Sequence, residues 1–204
     1  MGYGIGALIG YLLGCSNMAY FLGKWHGADL RRGGTGNLGA SNTVVLLGWK
    51  AGVLTALHDI GKAVLAVLVA KWLFPAVENV GAVAGVACVL GHIFPFYLNF
   101  KGGKGFASYF GVTLALNWKL ALVLMVVGIL VTLITDYITC ATVTTVVTVP
   151  VYLFFTSGWL LAAILLVATV VMLWKHRENY RRILSGTELG LRSAMKGENR
   201  ISKG

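Results

Sequence analysis

The chain has 204 residues, of which 57% are hydrophobic and only 12% are charged, and its mean hydropathy is +0.79. This composition excludes an ordinary soluble domain and indicates an integral membrane protein. A formal net charge of +10 would suit nucleic acid, but the basic residues cluster beside apolar segments, where they attract anionic lipid. No nucleic-acid partner is therefore expected.

Seven apolar segments recur along the chain, and each is a candidate transmembrane helix, because about 20 apolar residues cross the hydrocarbon core. The predicted fold class is an all-α polytopic membrane protein, with a single domain over residues 1–204. Its fourth span is short and needs tilt, a thinner bilayer or shelter by its neighbours. The predicted spans are 3–23, 51–74, 80–98, 106–116, 119–135, 137–155 and 159–174, followed by a basic tail at 175–204.

The distribution of Lys and Arg orients these spans. Fourteen of the 17 lie in the loops 24–50 and 99–105 or in the tail, and such residues favour the cytoplasmic side. The N-terminus is therefore predicted outside and the C-terminus inside. The two loops, the turn at 135–142 and the tail then share the cytoplasmic face, where they could build one composite site.

Few side chains inside the spans carry chemistry. The three cysteines lie in apolar runs without metal-ligand spacing, so neither a disulfide framework nor a metal site is predicted. Ionisable groups within spans are costly and usually functional. Asp59 and Lys62 stand three residues apart and could pair on one helix face beside His58, although such a pair could be structural only.

The first glycine-rich stretch runs from Gly33 to Asn42. Glycines allow positive φ and a close approach of the backbone to a ligand, which favours an anion cradle. The stretch lacks the lysine of a Walker A loop and the preceding strand of a dinucleotide fingerprint. Asp29 and Arg31, just ahead, could form an ion pair that fixes the entry of the loop. The alternative is an ordinary turn-rich membrane loop.

A second stretch, Gly91 to Gly105, ends one span and begins the next. Lys101 and Lys104 flank two glycines and could bend toward a common anion, while the aromatic run anchors the interface. The alternative is ordinary positive flanking for the lysines and a buried structural role for His92. A third stretch, Trp174 to Asn179, leaves the last span, and alone it indicates only membrane anchoring.

Taken together, these stretches resemble the bacterial acyl-phosphate-dependent glycerol-3-phosphate acyltransferase family. The resemblance rests on Asp-x-Arg followed by the glycine loop ending at Asn42, on the unbroken pattern at 91–105, and on His-Arg-Glu-Asn at 176–179. It implies transfer of a fatty acyl group from acyl phosphate to the 1-hydroxyl of glycerol 3-phosphate, giving 1-acylglycerol 3-phosphate and phosphate. It also implies a monomer in the bacterial cell membrane that contacts membrane lipids and needs no cofactor.

The loops and the resemblance together assign expected roles to individual residues. The expected catalytic residues are Lys104, Thr35, Asn37 and His176. Expected phosphate-binding residues are Gly34, Gly36, Asn42, Lys101, Gly102, Gly103, Thr142 and Asn179. Supporting roles are expected for Asp29, Arg31, His92 and Glu178, and no residue is expected to bind a metal.

One departure from the family pattern bears on the acceptor. The family commonly carries an arginine shortly after the first motif, whereas this chain has Thr43, Val44 and Val45 there. Either acceptor affinity is weaker or another cation compensates. Because acyl phosphate has a good leaving group, we expect direct transfer, with the acyl phosphate's own phosphate or His176 taking the acceptor proton.

Three alternatives stay open at this point. A small transporter of phosphate-bearing metabolites would also use a helical bundle with glycine-rich breaks, but it predicts polar groups deep in several spans. A non-catalytic membrane scaffold would leave Lys101, Lys104 and Asn37 without a task. A donor carried on coenzyme A or an acyl carrier protein is a third possibility, although a site set in the membrane suits a small acyl phosphate better.

Overall fold

The computed structural model describes residues 1–196, with side chains described through Ser193, and this part of the chain contains helices and no strand. The predicted tail beyond residue 196 lies outside the described residues. Two short 3-10 turns, Leu30–Arg32 and Phe96–Leu98, interrupt the connections. The helices are α1 (Gly2–Cys15), α2 (Met18–Trp25), α3 (Ala40–Leu47), α4 (Trp49–Leu73), α5 (Val80–Ile93), α6 (Phe106–Leu116), α7 (Trp118–Thr135), α8 (Ile138–Ser157), α9 (Trp159–Lys175), α10 (Arg177–Leu184) and α11 (Leu191–Lys196).

Five helical segments are long and apolar enough to cross a membrane, and a sixth results when α9 and α10, bent by 45°, count as one. The all-α membrane fold predicted from composition is thus confirmed. Helix α6 has 11 residues, about 16 Å of length, which is short against a hydrocarbon core of about 30 Å. The count of seven crossings and the orientation stay predictions.

A buried polar bridge fixes the short helix α6 to its neighbours. The Tyr109 hydroxyl lies 3.1 Å from Thr169 Oγ1 on α9, and the Thr169 hydroxyl donates to the Val146 carbonyl on α8 at 2.9 Å. All three residues are at most 2% exposed. Paired polar groups away from water hold helices in register, so α6 is sheltered inside the bundle as its length requires.

The tightest helix pair is α1 against α5, where glycines bring the two backbones together. A Cβ atom added at Gly10 would lie 2.0 Å from the Ala84 carbonyl oxygen, and one at Gly14 would lie 2.1 Å from that of Cys88. Small residues four apart are a common means of close helix contact in membranes. This contact fixes α5, whose C-terminal end carries the second glycine-rich stretch.

We expect Gly14→Val to separate α1 from α5, because its Cβ would overlap backbone atoms that cannot rotate away. The loss of stability should reach at least about 2 kcal/mol, lowering the apparent midpoint of heat unfolding in detergent by roughly 5 °C or more.

The matched control is Gly61→Ala on α4, where an added Cβ has no neighbour within 4 Å. Equal midpoints for Gly14→Val and wild type would contradict the close packing of these helices.

Candidate active site

The first glycine loop folds around the side chain of Asn42. Its Oδ1 accepts from the backbone N–H of Thr35 at 2.6 Å, and its Nδ2 donates to the carbonyls of Leu30 and Asn37 at 2.7 and 2.8 Å. Asn42 is fully buried. Gly34 and Gly36 adopt φ values of +57° and +71°, a region that only glycine occupies at little cost. The amide of Asn42 therefore holds the loop and is not free for a ligand.

Thr35 and Asn37 point into the pocket that this loop borders. Asn37 Nδ2 donates to Thr35 Oγ1 at 2.8 Å, so the threonine hydroxyl keeps its own hydrogen available for a ligand oxygen. The ion pair predicted between Arg31 and Asp29 is confirmed at 2.8 Å, and this pair holds the pKa of the Asp29 carboxyl below its ordinary value. The loop thus presents two short polar side chains on a braced backbone.

The second glycine loop packs onto the end of α5. The N–H groups of Gly102 and Gly103 donate to the carbonyls of Ile93 and His92, both at 3.1 Å. A Cβ at Gly102 would lie 2.1 Å from the His92 carbonyl oxygen. The two glycines therefore serve close packing, with their N–H groups used inside the protein, and they place Lys104 at the pocket.

Lys104 begins a chain of polar contacts that ties this loop to the tail. Its ammonium donates to Asn179 Oδ1, Asn179 Nδ2 donates to Glu188 Oε1, and Arg182 Nε donates to Glu188 Oε2 at 2.6 Å. The Glu188 side chain is 5% exposed. Burial, with the positive charge of Arg182 nearby, lowers the pKa of the Lys104 ammonium to about 8. A desolvated cation of this kind attracts an anion strongly.

His176 lies at the junction of α9 and α10 and is 5% exposed. Its Nδ1 is 2.8 Å from the Met172 carbonyl oxygen, which can only accept, so Nδ1 carries the proton and Nε2 has a free lone pair. Burial lowers the pKa of His176 to about 4, which makes the ring neutral at pH 7. Thr142 completes this side of the pocket, and its hydroxyl donates to the Ile138 carbonyl at 3.1 Å.

A cavity of about 170 Å³, the polar cavity, collects seven of the 16 expected site residues, and its wall combines these polar side chains with aliphatic and aromatic ones. A second cavity of about 420 Å³ lies among α4, α6, α7 and α8 and is almost entirely apolar. The two cavities share part of their walls, so the polar cavity lies directly beside an apolar groove. The expected residues that line the polar cavity are Thr35, Asn37, Lys104, Thr142, His176, Asn179 and His92. The shared walls are formed by Ala40, Ser41, Phe106, Ala107, Ile138 and Leu191.

Nine of the 16 expected residues do not line this cavity. Seven of them belong to the two glycine loops or to the segment just ahead of the first loop, namely Asp29, Arg31, Gly34, Gly36, Asn42, Gly102 and Gly103, and the other two are Lys101 and Glu178. The Lys101 side chain is exposed and does not line it. Glu178 is also exposed, and its carboxylate contacts the guanidinium of Arg181 at 3.0 Å. Val44 and Val45 line the pocket with aliphatic surface, so the stretch after Asn42 supplies no cation.

Sequence reasoning missed Glu188, and it identified Asp59 only as half of an ion pair. Both side chains line the polar cavity. Glu188 follows an unremarkable Ser-Gly-Thr stretch of the tail, which carries no local signal of a site. Asp59 could have been suspected further, because a buried carboxylate within a span has to meet either a cation or a ligand.

Three comparisons with known proteins agree. The family model for glycerol-3-phosphate acyltransferase matches residues 4–186. A glycerol-3-phosphate acyltransferase of Thermoanaerobacter pseudethanolicus is 38% identical over 93% of this chain and 97% of the relative, and glycerol-3-phosphate acyltransferase 1 of Oceanobacillus iheyensis is 35% identical over 95% and 97%.

A crystal structure of PlsY (YgiH), an integral membrane glycerol 3-phosphate acyltransferase, in its glycerol 3-phosphate form superposes with a TM-score of 0.87. The two sequences are 32% identical, and the match covers 94% of this chain and 96% of that one. The lysophosphatidic acid form gives a TM-score of 0.84 at 31% identity, over 95% and 97%.

We expect the Lys104 amine to titrate near pH 8, below the ordinary 10.5 of lysine, because burial disfavours its charged form. Only the neutral amine reacts with an acylating reagent, so labelling of Lys104 against pH, read by mass spectrometry, should reach half its maximum near pH 8.

Two neighbours supply controls of opposite sign. Arg182→Gln removes a positive charge and should move the midpoint upward, whereas Glu188→Gln removes a negative charge and should move it downward. A wild-type midpoint above pH 10 would show that Lys104 is solvated and would contradict its place in the pocket.

Proposed function

Since the chain belongs to the glycerol-3-phosphate acyltransferase family, we propose that it transfers a fatty acyl group from acyl phosphate to the 1-hydroxyl of glycerol 3-phosphate. The products are 1-acylglycerol 3-phosphate and phosphate. This reaction is the first step of phospholipid synthesis. We place this reaction at the cytoplasmic face of the bacterial cell membrane, on the side that carries most of the basic residues.

The observation that carries the proposal is the shared wall between a polar cavity with a buried cation and an apolar groove. A substrate with a phosphate head and an alkyl tail matches this pair of environments. The groove lies among spans, where an alkyl chain loses contact with water, while the head remains with Lys104, Thr35 and Asn179.

Repulsion between the two substrates explains why the site needs a cation. Acyl phosphate and glycerol 3-phosphate are both anions and repel each other when they approach. Lys104 offsets this repulsion at the point where the phosphates meet, and the Thr35 hydroxyl and the Asn37 and Asn179 amides provide neutral polar partners. Arg182, whose charge acts on Lys104 and whose guanidinium pairs with Glu188, is the cation to which we assign the compensation for Val44 and Val45.

The chemical step needs no covalent enzyme intermediate. The 1-hydroxyl oxygen attacks the acyl carbonyl carbon, the new ester bond forms, and the anhydride bond to phosphate breaks. Phosphate leaves with the bonding electron pair and takes the hydroxyl proton. Holding the two reactants in contact supplies much of the rate.

The state of His176 supports phosphate as the proton acceptor. Its Nε2 has a free lone pair, but a ring with a pKa of about 4 is a weak base at neutral pH. We therefore assign His176 to accepting a hydrogen bond from a substrate hydroxyl, which orients the oxygen for attack.

The purified protein is expected to release phosphate from palmitoyl phosphate only when glycerol 3-phosphate is present. Lys104→Ala should lower this release about 100-fold or more, because a buried electrostatic contact to the reacting phosphates is lost. Phosphate release and the lipid product would be followed together.

Lys104→Arg serves as the comparison, since it keeps the charge. The assignment would fail if well-folded wild-type protein released no phosphate, and that result would favour a transporter or another acceptor.

The apolar groove predicts a second effect, at Gly128. A Cβ at this position would be 3.6 Å from the Cβ of Ala141, an ordinary contact, so Gly128→Ala should fold and act normally. Gly128→Phe fills the groove and should raise the KM for palmitoyl phosphate about tenfold or more while sparing a short-chain acyl phosphate, since only the longer chain loses apolar contact. Equal effects on both donors would show that the chain lies elsewhere.

A further inference from the structure

A buried network of charged and polar groups forms the floor of the polar cavity. The Lys62 ammonium lies 2.8 Å from Asp59 Oδ1, 2.9 Å from His92 Nδ1 and 2.6 Å from the Ser16 carbonyl oxygen. Asp59, Lys62 and His92 are 1%, 6% and 3% exposed. Asp59 and His92 line the cavity. Nothing in the proposed reaction yet uses this network.

The contacts of Lys62 fix the tautomer of His92. An ammonium group has only donors, so at 2.9 Å His92 Nδ1 accepts from it and the ring proton sits on Nε2. Asp59 Oδ1 lies farther from the same nitrogen, at 3.3 Å, so the Lys62 ammonium is the nearer partner of Nδ1. A ring whose Nδ1 accepts a hydrogen bond is neutral, and it presents one N–H donor, at Nε2.

The position of Gly103 keeps that donor accessible. A Cβ atom at residue 103 would lie 2.0 Å from His92 Nε2, on top of the N–H group. Among the described side chains and backbone, His92 Nε2 has no hydrogen-bond partner of its own. The nearby Leu38 carbonyl already accepts from Asn17 Nδ2 at 3.3 Å. The glycine thus leaves a donor open at the floor of the pocket.

We propose that His92 Nε2–H donates a hydrogen bond to a phosphate oxygen of a bound substrate, with Lys62 and Asp59 acting as positioning residues that hold the ring in this tautomer. The inference rests on the proposed function, because the phosphate belongs to either glycerol 3-phosphate or acyl phosphate. It also gives the glycine pair a purpose. The N–H groups of Gly102 and Gly103 are used within the protein, and the loop exposes a side-chain donor in their place.

A matched pair of variants separates binding from packing. His92→Phe keeps a ring but removes the donor, and we expect it to raise the KM for one phosphate substrate about 10- to 100-fold. His92→Gln places an amide N–H near the position of Nε2 and should return that KM to within about fivefold of wild type. Heat unfolding in detergent would establish that both variants are folded.

The substrate whose KM rises identifies the source of the phosphate. A rise for glycerol 3-phosphate alone assigns the contact to the acceptor, and a rise for acyl phosphate alone assigns it to the donor. Unchanged KM values in His92→Phe, or equal losses in His92→Phe and His92→Gln, would overturn the proposal and leave His92 as a packing residue.

The tautomer is measured directly by nitrogen NMR of histidine-labelled protein in detergent, with the His92 signals identified from His92→Gln. We expect an unprotonated Nδ1, a protonated Nε2, and a change at Nε2 when glycerol 3-phosphate or acetyl phosphate is added. The paired variant Asp59→Asn with Lys62→Met removes both charges together and should give a mixture of tautomers. A protonated Nδ1 in the wild type would overturn the proposal.

Failure of the proposed function gives a different pattern. If the wild type transfers no acyl group, the reaction assignment fails, and the response of Nε2 to each phosphate compound still decides whether His92 binds one.

Discussion

The packing of the 102–103 backbone against the end of α5 is the constraint on which the rest of the site depends. Only glycine fits beside the His92 carbonyl and ring, and this contact carries Lys104 out of solvent and toward the tail. The buried Lys104 ammonium donates a hydrogen bond to Asn179, and Asn179 donates one to Glu188. The contacts that join this loop to the tail therefore depend on glycine at residues 102 and 103.

Desolvation ties this geometry to chemistry. Lysine at a surface loop would be a weak, screened partner for phosphate. At the pocket its pKa falls to about 8, which means that the protein leaves a cation incompletely solvated until an anion arrives. Asn42 plays the corresponding part in the first loop, where its buried amide fixes a glycine backbone at positive φ and leaves Thr35 and Asn37 facing the pocket.

The neighbouring apolar groove narrows the range of ligands that the polar cavity suits. Either cavity alone would fit many functions, including transport of phosphate compounds. Helix α6, sheltered by its neighbours, lines both cavities, and the cavities share a wall. A cavity of a size that suits phosphate therefore lies beside a groove of a size that suits an alkyl chain. The buried Asp59 and Lys62 pair beneath them is tolerated because the opposite charges meet at 2.8 Å.

The sequence by itself determined the helical membrane fold, the approximate segments, the two glycine loops and seven of the residues that line the polar cavity, because apolar length and glycine content act locally. The tertiary structure decided what those loops do. In the folded chain the Asn42 amide braces the first loop, the N–H groups of Gly102 and Gly103 bind carbonyls at the end of α5, and Glu188 joins the site through Asn179, whereas Lys101 remains exposed. Such roles depend on which groups become hydrogen-bond partners when the chain folds. Packing determines those partners, and a local sequence pattern does not encode them.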